Sequence, residues 1–126
     1  MVSRIFLAIA AIFGGLSVGA GAFATHALRE KLSERSLEIC ETAARYQMYH
    51  ALALLLVALL ISRAEFPQPL FVAAGWSFII GVLIFSGSLY ALSLTNIKVL
   101  GAITPLGGAA FIAGWGALVI AAFTFK

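Results

Sequence analysis

Charged positions cut the chain into four uncharged, largely apolar stretches. The first, Ile5 to Thr25, lies between Arg4 and the cluster Arg29, Glu30, Lys31. The second closes at Ser62, before "RAEFPQP", where Arg63, Glu65, Pro67 and Pro69 stop a helix. The third runs from about Leu70 to Ser93, and the fourth follows Lys98 up to Phe125. A helix crossing a bilayer needs about 20 predominantly apolar residues, and a charge at the bilayer centre is expensive. Each stretch therefore reads as a membrane span.

The second stretch is too short as it stands. Between His50 and Ser62 lie only the 11 residues Ala51 to Ile61, about half a span. It must borrow from the polar decapeptide "ETAARYQMYH" that precedes it. Counting back about 20 residues from Ser62 reaches Ala43, so Tyr46, Gln47, Tyr49 and His50 fall within the membrane segment, with Arg45 at its edge. At 1.5 Å per residue, His50 sits roughly 10 Å inside. In the fourth stretch, Thr104 followed by Pro105 has the form of a helix start, with a hydroxyl able to accept an orphan N–H and a proline at the first helical position. A helix from near Val99, kinked at Pro105, competes with that reading.

The pattern thus predicts an all-α, integral membrane four-helix bundle in a single domain, residues 1–126, with spans near 5–25, 43–62, 70–93 and 104–124. The mixed-charge segment around 28–41, with Leu28, Leu32, Leu37 and Ile39, suits a short helix lying at the interface. Small residues recur every four positions at Ala11, Gly15 and Gly19, and at Ala109, Ala113, Ala117 and Ala121. In lipid such faces allow close helix packing, here within or between subunits. Arg4, an apolar run and "AGAFA" also fit a secretory signal peptide, although the run exceeds the roughly 7 to 15 residues of a signal core.

Composition places the chain firmly in the membrane: 63% of the residues are hydrophobic and 10% charged, and mean hydropathy is +1.08. The net charge of +3 comes from basic residues scattered singly, so nucleic acid is not expected as a partner. The expected partners are the lipid bilayer and either further copies of the chain or a larger membrane complex. Cys40 is the single cysteine and has no internal disulfide partner. Basic residues number five beside the two connections flanked by spans one and two and by spans three and four (Arg29, Lys31, Arg35, Arg45, Lys98), against three on the other side (Arg4, Arg63, Lys126). Positive-inside counting then favours both termini outside the cell membrane.

Four-span topology brings the polar chemistry into one membrane half. Thr42, Tyr46 and His50 form a stripe at helical spacing with Tyr49 alongside, and Glu41 and Arg45 can pair. His26, Ser86, Ser88, Tyr90, Thr95, Asn96 and Thr104 share that half. The cluster of His26, Glu41, Arg45, Tyr46, Tyr49, His50, Ser86, Ser88, Asn96 and Thr104 is the candidate site. A polar network that fixes helix register is the first reading. Binding or conduction of a small solute, a proton or a lipid headgroup through His26, Tyr46 and His50 is the second, and catalysis the third. His26, His50, Glu41 and Cys40 are metal-ligand types without paired spacing, and no cofactor or metal is expected.

The motifs "GAFATHAL", "ETAARYQMYHALALLL", "FSGSLYALSLT" and "GAITPLGGAAFIAGW" resemble, in this order and over nearly the whole chain, the YgdD/YwdK family of small bacterial multi-pass membrane proteins. That family is a domain of unknown function with small transmembrane relatives in animals. The resemblance implies four spans and a bacterial plasma membrane location, and it brings no activity, substrate or catalytic residues. Ala24 and Thr25 stand where the family usually has Gly and Ala, which adds a hydroxyl beside His26.

Overall fold

The computed structural model describes residues 1–124; Phe125 and Lys126, the latter counted in the charge balance above, lie outside the described residues. The helices are α1 (Val2–His26), α2 (Glu34–Arg63), α3 (Pro69–Gly81), α4 (Gly87–Thr95) and α5 (Val99–Thr124), with a π-helical turn, Val82–Ser86, between α3 and α4. Taken with that turn, α3 and α4 form one 27-residue segment, and among the described residues four helical segments are long and apolar enough to cross a membrane. The described residues thus form an all-helical architecture with four helical segments able to span a membrane.

Two boundaries differ from the sequence reading. The short helix expected over 28–41 is not a separate element, because residues 34–41 are the first two turns of α2 itself. Ser33 caps that helix, its Oγ accepting from the Ser36 N–H at 3.1 Å, and Glu34 lies in the first turn where the helix dipole favours a negative charge. Neither glycine nor proline interrupts residues 34–63, so nothing ends the helix at the membrane edge. The second difference is α5, which starts at Val99 and carries Pro105 inside it. Asn96 closes α4 in the left-handed conformation, φ 58°, a role Asn tolerates, and a short turn suffices to restart the helix at once. Thr104 is then a mid-helix residue, its hydroxyl donating back to the Leu100 carbonyl at 3.2 Å. Pro105 has no N–H to give the Gly101 carbonyl.

In the packing order, α1 lies on α2, α2 on the third span, and the third span on α5. The apolar core joins Phe6 and Phe13 of α1, Leu54 and Val57 of α2, Phe71 and Phe78 of α3, and Phe111 of α5. Four glycines set how closely the helices approach: a Cβ on Gly107 would overlap the Phe85 backbone, and one on Gly75, Gly81 or Gly114 would overlap the ring of Phe6, Phe111 or Phe78. The small-residue series read from the sequence do not make these contacts. Ala11, Gly15, Gly19, Ala109 and Ala113 are exposed, Ala117 is half-buried, and only Ala121 is buried. The buried face of α1 is instead Phe6, Ala10, Phe13, Ser17 and Ala24.

Candidate functional site

The inward face of α2 runs through Cys40, Ala43, Gln47, His50 and Leu54, at the three-and-four spacing of one helix side. Tyr46 and Tyr49 flank that face, 37% and 52% exposed, so the stripe of Thr42, Tyr46 and His50 is only partly turned inward. The residue at the centre is Gln47. Its Nε2 donates to the Phe13 carbonyl at 2.8 Å, and its Oε1 accepts from the Tyr90 hydroxyl at 2.9 Å. One side chain thus ties α1, α2 and α4 together.

A turn earlier in α2, the small residues Ala43 and Ala44 leave their carbonyls reachable from both sides. Ser17 of α1 donates to the Ala44 carbonyl at 2.6 Å, and Ser86, at the end of the π-helical turn, donates to the Ala43 carbonyl at 2.8 Å. Carbonyls already bonded within a helix have a second lone pair, and a hydroxyl in lipid has few better partners.

His50 is held on three sides. Trp115 donates its indole N–H to His50 Nε2 at 3.1 Å, and because indole nitrogen only donates, Nε2 carries no proton. The proton is therefore on Nδ1, which donates to the Tyr46 carbonyl at 2.7 Å. The ring stacks on Phe111, centroids 3.5 Å apart and planes 6° from parallel. Both nitrogens are thereby engaged in the neutral form.

Toward the membrane edge, Ser88 and Thr104 share a hydrogen bond of 2.5 Å that joins α4 to α5, and the Ser36 hydroxyl donates to Asn96 Oδ1 at 3.4 Å. Cys40 is buried against Ser93. The remaining predicted site residues stand apart. Glu41 and Arg45 form an exposed ion pair at 3.3 Å, a kind of contact worth about 0.3–0.5 kcal/mol. His26, exposed at the end of α1, lies outside the network, and the Thr25 hydroxyl beside it donates to the Gly21 carbonyl at 2.9 Å. Among the described residues no three His, Cys, Asp or Glu side chains converge as metal ligands, and every buried side-chain nitrogen and oxygen has a hydrogen-bond partner. The candidate cluster read from the sequence leaves out Gln47 and Tyr90, although both were placed among the polar residues of that membrane half, and it passes over Ser17 and Trp115 altogether. The available signals were faint: Ser17 is a lone hydroxyl in an apolar run, and Trp115 sits one turn beyond Phe111.

Four apolar spans joined by hydroxyl, amide, imidazole and indole hydrogen bonds define a multi-pass helical membrane protein. The chain belongs to the family of proteins of unknown function called DUF423, whose family model matches residues 20–108. It is 44% identical over 122 residues to the UPF0382 membrane protein YwdK of Bacillus subtilis, covering 97% of this chain and 98% of the relative. It is likewise 44% identical, with the same coverage, to UPF0382 membrane proteins of Staphylococcus haemolyticus and Staphylococcus epidermidis. No solved structure matches the chain.

Proposed function

We propose that this protein is a non-enzymatic component of the bacterial cell membrane that assembles as a small homo-oligomer, with both termini on the outer side. The observation that carries the reading is the outward face of α1. A Cβ on Gly15 or Gly19 would meet nothing within 4 Å, so both glycines lie open on the lipid-facing side of the helix, spaced for close approach by a second helix. The polar cluster favours a structural role, since among the described residues every buried side-chain nitrogen and oxygen already has a hydrogen-bond partner within the protein. A pathway through His26, Tyr46 and His50 also lacks its first member, which is outside the network.

The test is disulfide trapping in native membranes. In a Cys40→Ser background, Gly15→Cys is expected to give, on oxidation, a species of twice the 13.3 kDa chain mass, and adding Gly19→Leu is expected to abolish it. A crosslink to a different protein would assign the face to a larger complex. Monomer alone, under trapping and by light scattering in mild detergent, would remove the assembly reading.

A further inference from the structure

We propose that the groove between the first turns of α1 and the last turns of α2 seats one acyl chain of an anionic glycerophospholipid, with Arg4 holding its phosphate. The groove encloses about 480 Å³ and is walled by Leu7 of α1 and by Leu52, Leu55, Leu56 and Leu59 of α2. All five leucines are exposed, between 42% and 56% in α2, while the neighbouring Leu54 and Val57 of the same turns are buried in the core and Ala58 forms the floor of the groove. The apolar wall is therefore left over after the bundle has packed.

Polar groups gather at one end only: Ser3, Arg4 and Ser62. Arg4 is in neither of the two ion pairs among the described residues, and its guanidinium offers a fork of donors suited to a phosphate. The Ser62 hydroxyl donates to the Leu59 carbonyl at 2.7 Å, so what it presents outward is its lone pairs, which suit a donor on a lipid headgroup such as a glycerol hydroxyl. From Ser62 down to Leu52 the groove falls about 15 Å at 1.5 Å per residue, the depth of one leaflet of a hydrocarbon core about 30 Å thick. An apolar trough one leaflet deep, capped by an unpaired cation and a hydrogen-bond acceptor, matches such a lipid in both shape and charge. Neighbouring grooves lack that combination. The one over Gly15 and Gly19 has no charged residue in its wall, and the one beside Arg29 carries Glu41 as well.

Native mass spectrometry of the full chain, released from micelles holding equal amounts of phosphatidylglycerol and phosphatidylcholine, tests this. Wild type is expected to retain one phosphatidylglycerol per chain with a preference of about fivefold, the ratio that one direct, exposed ion pair worth about 1 kcal/mol supplies. Arg4→Gln is expected to erase the preference, Leu55→Trp to lower retention of both lipids by filling the groove, and Arg63→Gln, at the same membrane edge but outside the groove, to change neither. As a readout without substitutions, phosphatidylglycerol should raise the wild-type melting temperature more than phosphatidylcholine does. Equal retention of the two lipids, or a preference that survives in Arg4→Gln, would overturn the proposal. So would expulsion of the lipid on dimer formation, which would give the groove to a second copy.

Discussion

Gln47 bridges three helices through two hydrogen bonds, whereas His50 bonds one neighbouring helix and packs its ring on another residue of that same helix. Replacing Gln47 with Leu leaves the Tyr90 hydroxyl without its acceptor and unties α1 from α4. A stranded buried group costs about 1–3 kcal/mol. Gln47→Leu should therefore lower stability by about that amount in a denaturant titration in micelles. His50→Leu should cost less, because it leaves without an acceptor only the indole of Trp115, which is 46% exposed, and breaks a tie between two helices rather than three. His50→Gln, which keeps an acceptor for the indole, should be milder still. Equal losses for Gln47→Leu and His50→Leu would remove Gln47 from the centre of the network. In the sequence, Tyr46, Gln47, Tyr49 and His50 were all legible as part of the second long helix by counting back from Ser62. Which of them faced inward was not, because polar residues on the buried side and at the aromatic interface look alike in a helix end that reaches the headgroups.

Among the elements, the number of spans was readable because charge is excluded from hydrocarbon. Their faces were not. A helix surrounded by lipid has apolar residues on its outside as well as its inside, so the periodicity that marks a buried face in water is missing. Small residues were then the remaining guide, and they pointed at Ala11, Gly15 and Gly19 rather than at Gly75 and Gly107. Adjacent glycines of α5 give a direct check. A Cβ on Gly107 would run into the Phe85 backbone, while one on Gly108 would meet nothing within 4 Å. Gly107→Ala should destabilise by about 1–3 kcal/mol, the usual penalty for overpacking. Gly108→Ala should be neutral or stabilising by up to about 1 kcal/mol, since alanine is the better helix former. Thermal melts followed by circular dichroism would compare them, and matching midpoints would mean that α5 does not rest backbone to backbone on the third span.

For the molecule as a whole, the two membrane halves are built differently. The half nearer the 64–68 connection is held by rings and aliphatic side chains, and the half nearer the 27–33 connection is laced with side-chain hydrogen bonds. The same asymmetry extends to charge, with Arg29, Lys31, Arg35, Arg45 and Lys98 on the hydrogen-bonded side. With that side in the cytoplasm, as proposed, a reporter active only in the cytoplasm should be silent when fused after Lys126 and active when inserted between Glu30 and Lys31. The reverse pattern would invert the protein in the membrane without altering its fold.

The π-helical turn at Val82–Ser86 adds one residue to the third span relative to a continuous α-helix. One residue corresponds to about 100° of rotation, so the turn offsets the angular phase of α4 from the one a continuous α-helix would give it. Upstream of it, Phe71 and Phe78 face the apolar core; downstream, Tyr90 meets Gln47 and Ser88 meets Thr104. A straight α-helix through the same sequence could align the aromatic half or the hydroxyl half with its neighbours, but not both. The turn acts as a phase corrector between two recognition patterns written along one rod.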